Sequence, residues 1–370
     1  MRMPIQLRHG GGLGGGVQSV QILATWARDE SSMRDLRLPE AFASQENTRD
    51  RFASTLPGMA ALYFSKSISC DGHSYGRYAA LKAVAPRIAA MQDGFFRDTL
   101  RGQAVALCCF VGAKSEFLKP LYATARPGGV RELSEFRVLL PRMLDHLGLR
   151  SGVLNDSNSA YLSTLTHQLF LNADEHGAFE PNGERYELGI RGLALRLVSI
   201  PSLQKVTEEA GDDTILKTYL LKQVYKGEKK QSAAADVDAG LKLHESPMKI
   251  LEVSVFDTGP GLALRWLSDH GNAKSYADMT LDEEFDAVNT CFQKHSTSSS
   301  QEFKGQGLSM ALRSLKELGA LMTLRTGRLS LYQDFSRRDT DKFLPKNRFS
   351  KSNRLVDIAG TSYSISFRVG

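Results

Sequence analysis

Apolar and polar positions alternate along residues 249–256, where Ile250, Val253 and Val255 predict a β-strand with at least one buried face. The strand runs directly into Asp257-Thr-Gly-Pro-Gly261, a carboxylate followed by two glycines spaced one apart. Such an exit is either an ordinary turn built from Asp and Gly, or a fixed hydrogen-bond acceptor beside a closely approachable backbone, which suits a flat polar ligand.

The same patterning divides the rest of the chain. Residues 10–16 are nearly all glycine, lack the Lys-Ser/Thr ending of a phosphate loop and predict a flexible tail over 1–16. Residues 19–26 predict a strand. Helical periodicity covers 45–63 and 75–92, with Phe52, Leu56, Met59 and Leu62 at spacings of three and four and a short strand between the two runs. Residues 104–112 form a near-continuous apolar run, predicting a buried strand, and 116–122 and 130–147 return to helical spacing. Beyond 155 the prediction is helix 161–177, strand 189–200, helix 215–224, an exposed polar insertion at 226–246, the strand ending at Asp257, helix 262–267, a long polar stretch at 269–304, helix 310–318, and strands at 320–326, 328–332 and 360–369. The expected fold class is α+β: a C-terminal α/β sandwich over 155–370, a mixed sheet with helices on one face, preceded by a smaller α/β domain over 17–150.

Composition changes this picture little. Of 370 residues, 42% are hydrophobic and 24% charged, ordinary for a globular chain. No apolar run is long enough to span a bilayer, so no membrane partner is expected. Four cysteines show no metal-type spacing, and the adjacent Cys108 and Cys109 sit inside the buried strand, which points to a reducing, cytoplasmic setting. The net charge of +6 permits an anionic partner without requiring one.

Candidate chemistry concentrates in the second half. On helix 161–177, Gln168, Asn172, Glu175 and His176 share one polar face opposite a stripe of Leu162, Leu165, Leu169 and Phe170. Asparagine inside a helix is a poor helix former, which hints at a role beyond folding. Gly305-Gln-Gly-Leu308 opens a helix, so backbone N–H groups and the positive dipole end converge there, an arrangement that favours phosphate. The arginines, lysines and phenylalanines of 337–354 suit a solvated hairpin tip or a nucleic-acid contact.

Taken in order, Asn172-Ala-x-x-His176-Gly177, Asp257-x-Gly-x-Gly261, the polar stretch, Gly305-x-Gly-Leu308 and Gly360-Thr361 resemble the Bergerat-fold ATP-binding domain of the GHKL superfamily. The resemblance covers roughly residues 155–370, and the segment around Asn172 is closest to histidine kinases and anti-sigma-factor serine kinases. It implies ATP and Mg²⁺ as ligands. Asp257 would accept the adenine amino group, supported by Thr361; Asn172 would coordinate the metal, with His176 in the same box. Gly259 and Gly261 would admit the nucleotide, Gly305, Gln306, Gly307 and Leu308 would meet the phosphates, and Lys294 would reach them from a lid near 269–304. Hydrolysing members carry a glutamate four residues before the asparagine. Here that position is Gln168, which cannot take a proton, with Glu175 one turn further on as a substitute. The expected function is therefore an ATP–Mg-dependent switch or slow, partner-dependent ATPase, with a protein partner at the N-terminal domain and nucleotide-dependent pairing of two copies. The alternatives are a protein serine/threonine kinase of the anti-sigma-factor-kinase kind and an ATP-gated, nucleic-acid-associated module of MutL-like kind.

Overall fold

The computed structural model describes residues 1–3, 13–39, 42, 45–70, 72–149, 152–232 (226–232 by backbone alone), 247–272, 274–293, 307–337, 340–349 and 355–370. Within them the chain is α+β, as expected. Three short strands, β1 (Asp35–Arg37), β2 (Ser67–Cys70) and β3 (His73–Gly76), form a small sheet, parallel between β1 and β2 and antiparallel between β2 and β3. The main sheet comprises β4 (Ala104–Phe110), β5 (Ile190–Ile200), β6 (Met248–Asp257), β7 (Leu321–Gly327), β8 (Leu329–Asp334), β9 (Lys346–Asn347) and β10 (Ile358–Val369). Its spatial order is β4-β5-β6-β10-β7-β8-β9, antiparallel at every neighbour.

The expected boundary near residue 150 is not a break in this sheet. Strand β4, from the first half, pairs with β5 from Ala104 opposite Arg196 to Phe110 opposite Ile190. One hydrophobic core correspondingly runs from Val17 to Val369.

Register gives the central sheet two unlike faces. Leu251, Val253 and Val255 of β6 align with Leu197, Leu195 and Leu193 of β5 and with Phe367, Ile365 and Tyr363 of β10, making an apolar face. The intervening positions are Glu252 and Ser254, aligned with Arg196 and Ala194 and with Ser366 and Ser364, making a small and polar one. The apolar face is covered by α6 (Asp156–His176), which buries Leu162, Leu165, Leu169, Phe170 and Ala173. Helices α5 (Leu133–His146) and α11 (Gly307–Glu317) lie against α6 in turn.

Helices are not confined to that face. The polar face is covered by α1 (Gly15–Arg28), where a strand was expected over 19–26. Val, Ile and Thr favour strands in isolation, yet Val17, Val20, Gln21, Leu23 and Ala24 are buried at helical spacing. Residues 13–16, expected within a tail, are already placed: the Gly14 N–H donates to the buried Glu252 carboxylate. Gln21 meets the polar strands on their own terms. Its amide donates to the carbonyls of Arg325 at 3.2 Å and Ala359 at 3.1 Å and accepts from the Ser362 hydroxyl at 2.8 Å. Further along the same face, α7 (Leu203–Ala210) and α8 (Thr214–Ser232) cover Val198, Ile200, Met248, Ile250 and Leu321. Helix α8 carries the chain through 232, into the segment expected as an insertion.

The remaining helices are α2 (Glu46–Ala53), α3 (Leu56–Phe64), α4 (Arg77–Asp93), α9 (Leu262–Asp269) and α10 (Leu281–Cys291). Residues 116–122, expected as helix, are turns. Helix α10 falls inside the expected lid but is packed: a Thr280–Glu283 capping box starts it, and the fully buried Glu284 accepts from Arg328 Nε and N, both at 2.8 Å. No helix among the described residues is long and apolar enough to cross a membrane.

Gln21→Leu should destabilise the protein by about 1–3 kcal/mol, because two carbonyls and a hydroxyl lose their partner in a buried seam. Urea unfolding measures this, and an unchanged midpoint would show that α1 is not seated through Gln21.

Candidate functional site

The end of β6, the C-terminal turns of α6, helix α9 and the start of α11 enclose a cleft of about 610 Å³. That is within the range of small-molecule sites. Gln168, Asn172, Glu175 and His176 of α6, Asp257 and Gly261 of the β6–α9 turn, Gly307 and Leu308 of α11, and Thr361 of β10 all line it. Gly259 lies beneath the turn rather than on the wall: a side chain there would meet the His176 carbonyl at 2.7 Å. Lys294, Gly305 and Gln306 lie outside the described residues.

Asp257 is the buried floor of this cleft. Its Oδ1 accepts from the Gly259 N–H at 2.8 Å and the Thr361 N–H at 3.3 Å. Burial pushes its carboxyl up to about 7, against the opposing pull of those two N–H groups and of the Arg28 and Arg191 charges. Two glycines are dictated by this corner. Gly360 has φ +75°, and a side chain there would fall 2.0 Å from the Asp257 carbonyl oxygen. Gly261 has φ +89°, with Tyr276 Oη 2.8 Å from the missing Cβ. Thr326 completes the corner: its hydroxyl accepts from the Leu262 N–H at 3.0 Å and lies 3.2 Å from the Thr361 hydroxyl.

Gln168 stands at the opposite end, against the first residue of α11. A side chain on Gly307 would lie 2.7 Å from Gln168 Oε1. The orientation of this amide follows from its neighbour. His167 Nε2 is 3.0 Å from the Arg131 carbonyl, which only accepts, so that nitrogen carries the proton. Burial lowers the His167 pKa and favours the neutral ring, leaving Nδ1 as an acceptor. Gln168 Nε2, 3.3 Å away, is then the donor, and Oε1 is the atom presented to α11. The Asn172 side chain makes no hydrogen bond to another described residue; its amide oxygen is a neutral donor for a hard cation. No cluster of three His, Cys, Asp or Glu side chains fit for a metal occurs among the described residues.

Three groups of site residues escape the sequence reading. Arg265, Trp266 and Asp269 of α9 line the cleft, with Arg265 paired to Asp269 at 2.9 Å and Trp266 against His270 at 3.8 Å between ring centres. Helical spacing beyond Gly261 was the only available signal for them. Pro127 and Gly128 supply a wall from the first half of the chain. Beneath them, Arg191 donates to Asp174 at 2.9 Å and to Glu116 at 2.9 Å, while Asp174 also accepts from the Gly128 N–H at 3.0 Å and from Tyr122 Oη. Arg191 aligns with Asp257 across β5 and β6, so this cluster ties the 112–130 loop to the cleft floor.

Elsewhere, Cys108 and Cys109 are unpaired and buried, and burial raises the Cys109 thiol to about 11, as expected of inert thiols. In the basic 337–354 segment, Arg337 pairs with Asp334 and Arg348 with Asp213. No protein-family model, curated protein or solved structure matches this chain.

Asp174→Ala should cost about 3–5 kcal/mol, since it removes one of the two carboxylates that hold the buried Arg191 charge and takes the acceptor from the Tyr122 hydroxyl and the Gly128 N–H. Denaturant unfolding should show the double variant Asp174→Ala/Arg191→Met recovering part of that loss. Strictly additive losses would mean that the pair is not coupled.

Proposed function

We propose that the cleft binds ATP together with Mg²⁺ and that the protein acts as a nucleotide-dependent switch with slow hydrolysis. The observation that carries this reading is the Asp257 carboxylate, buried at the base of a cleft whose other end holds Asn172, Gln168 and the first turn of α11. The motif order along the chain, which resembles that of GHKL ATP-binding domains, supports the same reading by implying these roles for the same residues.

Asp257 Oδ1 is occupied by two backbone N–H groups, which fix the carboxylate plane and leave its second oxygen for a base amino group. An acceptor at that point favours adenine over guanine, which presents a carbonyl where adenine presents its amino group. The Thr361 hydroxyl, beside Asp257, supports the same base. At the other end, the N–H groups of Gly307 and Leu308 open α11 without intrahelical partners and would suit anionic oxygens. Asn172 would hold Mg²⁺, which would supply positive charge to offset that of the phosphates.

Gln168 determines how far the chemistry proceeds. Its Oε1 accepts a hydrogen bond and orients a water, but it takes no proton at neutral pH. Glu175 is the carboxylate on the same wall that would have to substitute. The site thus favours holding ATP over cleaving it.

Asp257→Asn should weaken ATP binding by about tenfold to a hundredfold or abolish it, the loss of a charge-assisted acceptor. Unchanged affinity in calorimetry would remove the assignment. Gln168→Glu should raise ATP turnover by placing a base at the water position, with about a hundredfold as the scale of a general-base contribution. Flat turnover with ATP still bound would show that position 168 does not face the γ-phosphate.

A further inference from the structure

Helix α1 contacts the cleft corner from behind, through a set of bonds that sheet stability alone does not call for. At its last turn, Arg28 reaches past the end of β6. Its Nη1 donates to the Gly259 carbonyl at 3.3 Å, its Nη2 donates to the Leu188 carbonyl at 3.4 Å, and its guanidinium lies 3.5 Å above the Tyr186 ring centre. One turn earlier, Thr25 Oγ1 accepts from the Ala359 N–H at 2.8 Å. One turn before that, Gln21 donates to the Ala359 carbonyl at 3.1 Å and accepts from Ser362 Oγ at 2.8 Å. A single helical face therefore grips both chain segments that position the Asp257 carboxylate: the 257–261 turn through Gly259, and the 359–362 segment through Ala359 and Ser362. The Gly259 and Thr361 N–H groups are the two that Asp257 accepts from.

We propose that Arg28 is a positioning residue for nucleotide recognition, and that α1 sets ATP affinity by fixing the Gly259 and Thr361 amides around Asp257 and by supplying a cation behind them. This rests on the ATP-binding reading. Lysine at position 28 keeps the charge but cannot bridge two carbonyls while stacking flat on Tyr186, because its ammonium is a point charge and not a planar fork. Methionine keeps the stem and loses both functions.

The charged and titratable groups around Asp257 are few. Arg28 lies on α1 and Arg191 on β5, the Tyr186 phenol in the preceding loop, the Tyr363 phenol on β10, and His176 on the α6 wall of the same cleft. Burial raises the Asp257 carboxyl to about 7 while Arg28 and Arg191 oppose that rise. The ionised carboxylate is the stronger acceptor for a base amino group, so ATP affinity in the wild-type protein should increase as pH rises through about 7. Removing the Arg28 charge leaves the Gly259 and Thr361 N–H groups and Arg191 in opposition, and the midpoint should move upward.

The test is calorimetric titration of Mg²⁺ and ATP into the full chain across a pH series, with thermal melts of each variant alongside. Arg28→Met should lower affinity by roughly tenfold and move the pH midpoint up by about one unit, the scale of one lost opposite charge. Arg28→Lys should lower affinity with the midpoint retained. If Arg28→Met does not fold, Thr25→Val removes the Ala359 anchor at constant shape, and several-fold weaker ATP binding at unchanged midpoint is the expected result. The titration of ATP itself is common to all variants, so differences between them report the protein. Wild-type affinity and midpoint in Arg28→Met, or wild-type affinity in Thr25→Val, while Asp257→Asn loses binding, overturns the role of α1 and leaves the ATP site standing. A wild-type protein that binds no ATP removes the ATP reading itself, and this proposal with it.

Discussion

A carboxylate taken out of water must be compensated where it sits, and Asp257 shows what that requires of the surrounding chain. Two backbone N–H groups from different segments converge on one oxygen, which demands that the 257–261 turn and the 359–362 segment approach closely. That approach leaves no room for side chains at Gly259 or Gly360. Two arginines, one on each flanking element, pull the carboxyl toward its charged form without displacing the burial that pushes it toward neutrality. The balance near neutral pH makes the group sensitive to small changes in its surroundings, and a ligand that donates to its second oxygen is one such change.

The two arginines also explain why the halves of the chain are not separate. Arg28 arrives on the first helix, and Arg191 is held by Glu116 and Asp174, one from the 112–130 loop and one from α6. Strand β4 adds backbone bonding between the halves. The polar back of the sheet belongs to the same arrangement. Ser254, Ser362, Ser364 and Ser366 would be poor partners for an apolar helix, but α1 presents a buried glutamine and a threonine hydroxyl to the seam. A polar seam joined by directional hydrogen bonds specifies one docking geometry more narrowly than apolar contact does.

Local pattern reached some of this and not the rest, for physical reasons. Helix α6 was legible because Leu162, Leu165, Leu169 and Phe170 recur at helical period and its polar face is uninterrupted; the cleft receives that face intact. Strand β6 was legible because alternation and an acidic turn coincide. Helix α1 was not, since its β-branched residues and glycine start resemble a strand after a tail, and only the unseen polar face of the sheet explains why Gln21 and Thr25 fall on its buried side. The Arg191 cluster was invisible for another reason. Glu116, Asp174 and Arg191 are separated in sequence by tens of residues, and no local period marks charges that meet only after the strands pair. Trp266 and Arg265 lie on a short helix whose face toward the cleft depends on the turn at Gly261.

The cleft's two ends are built to different tolerances. The Asp257 end is braced from behind by α1 and from the side by β10, through several hydrogen bonds and the stacking of Arg28 on Tyr186. The Gln168 end depends on one side-chain amide, aligned by a neutral His167 that is itself fixed by the Arg131 carbonyl. A chain of that kind holds only while each member keeps its protonation state: a charged His167 has no lone pair left for Gln168, and the amide is then released to turn. The Asp257 end is therefore suited to recognition, which needs a fixed acceptor. At the other end, the oxygen that Gln168 turns toward the start of α11 rests on a neutral His167, the form that burial favours.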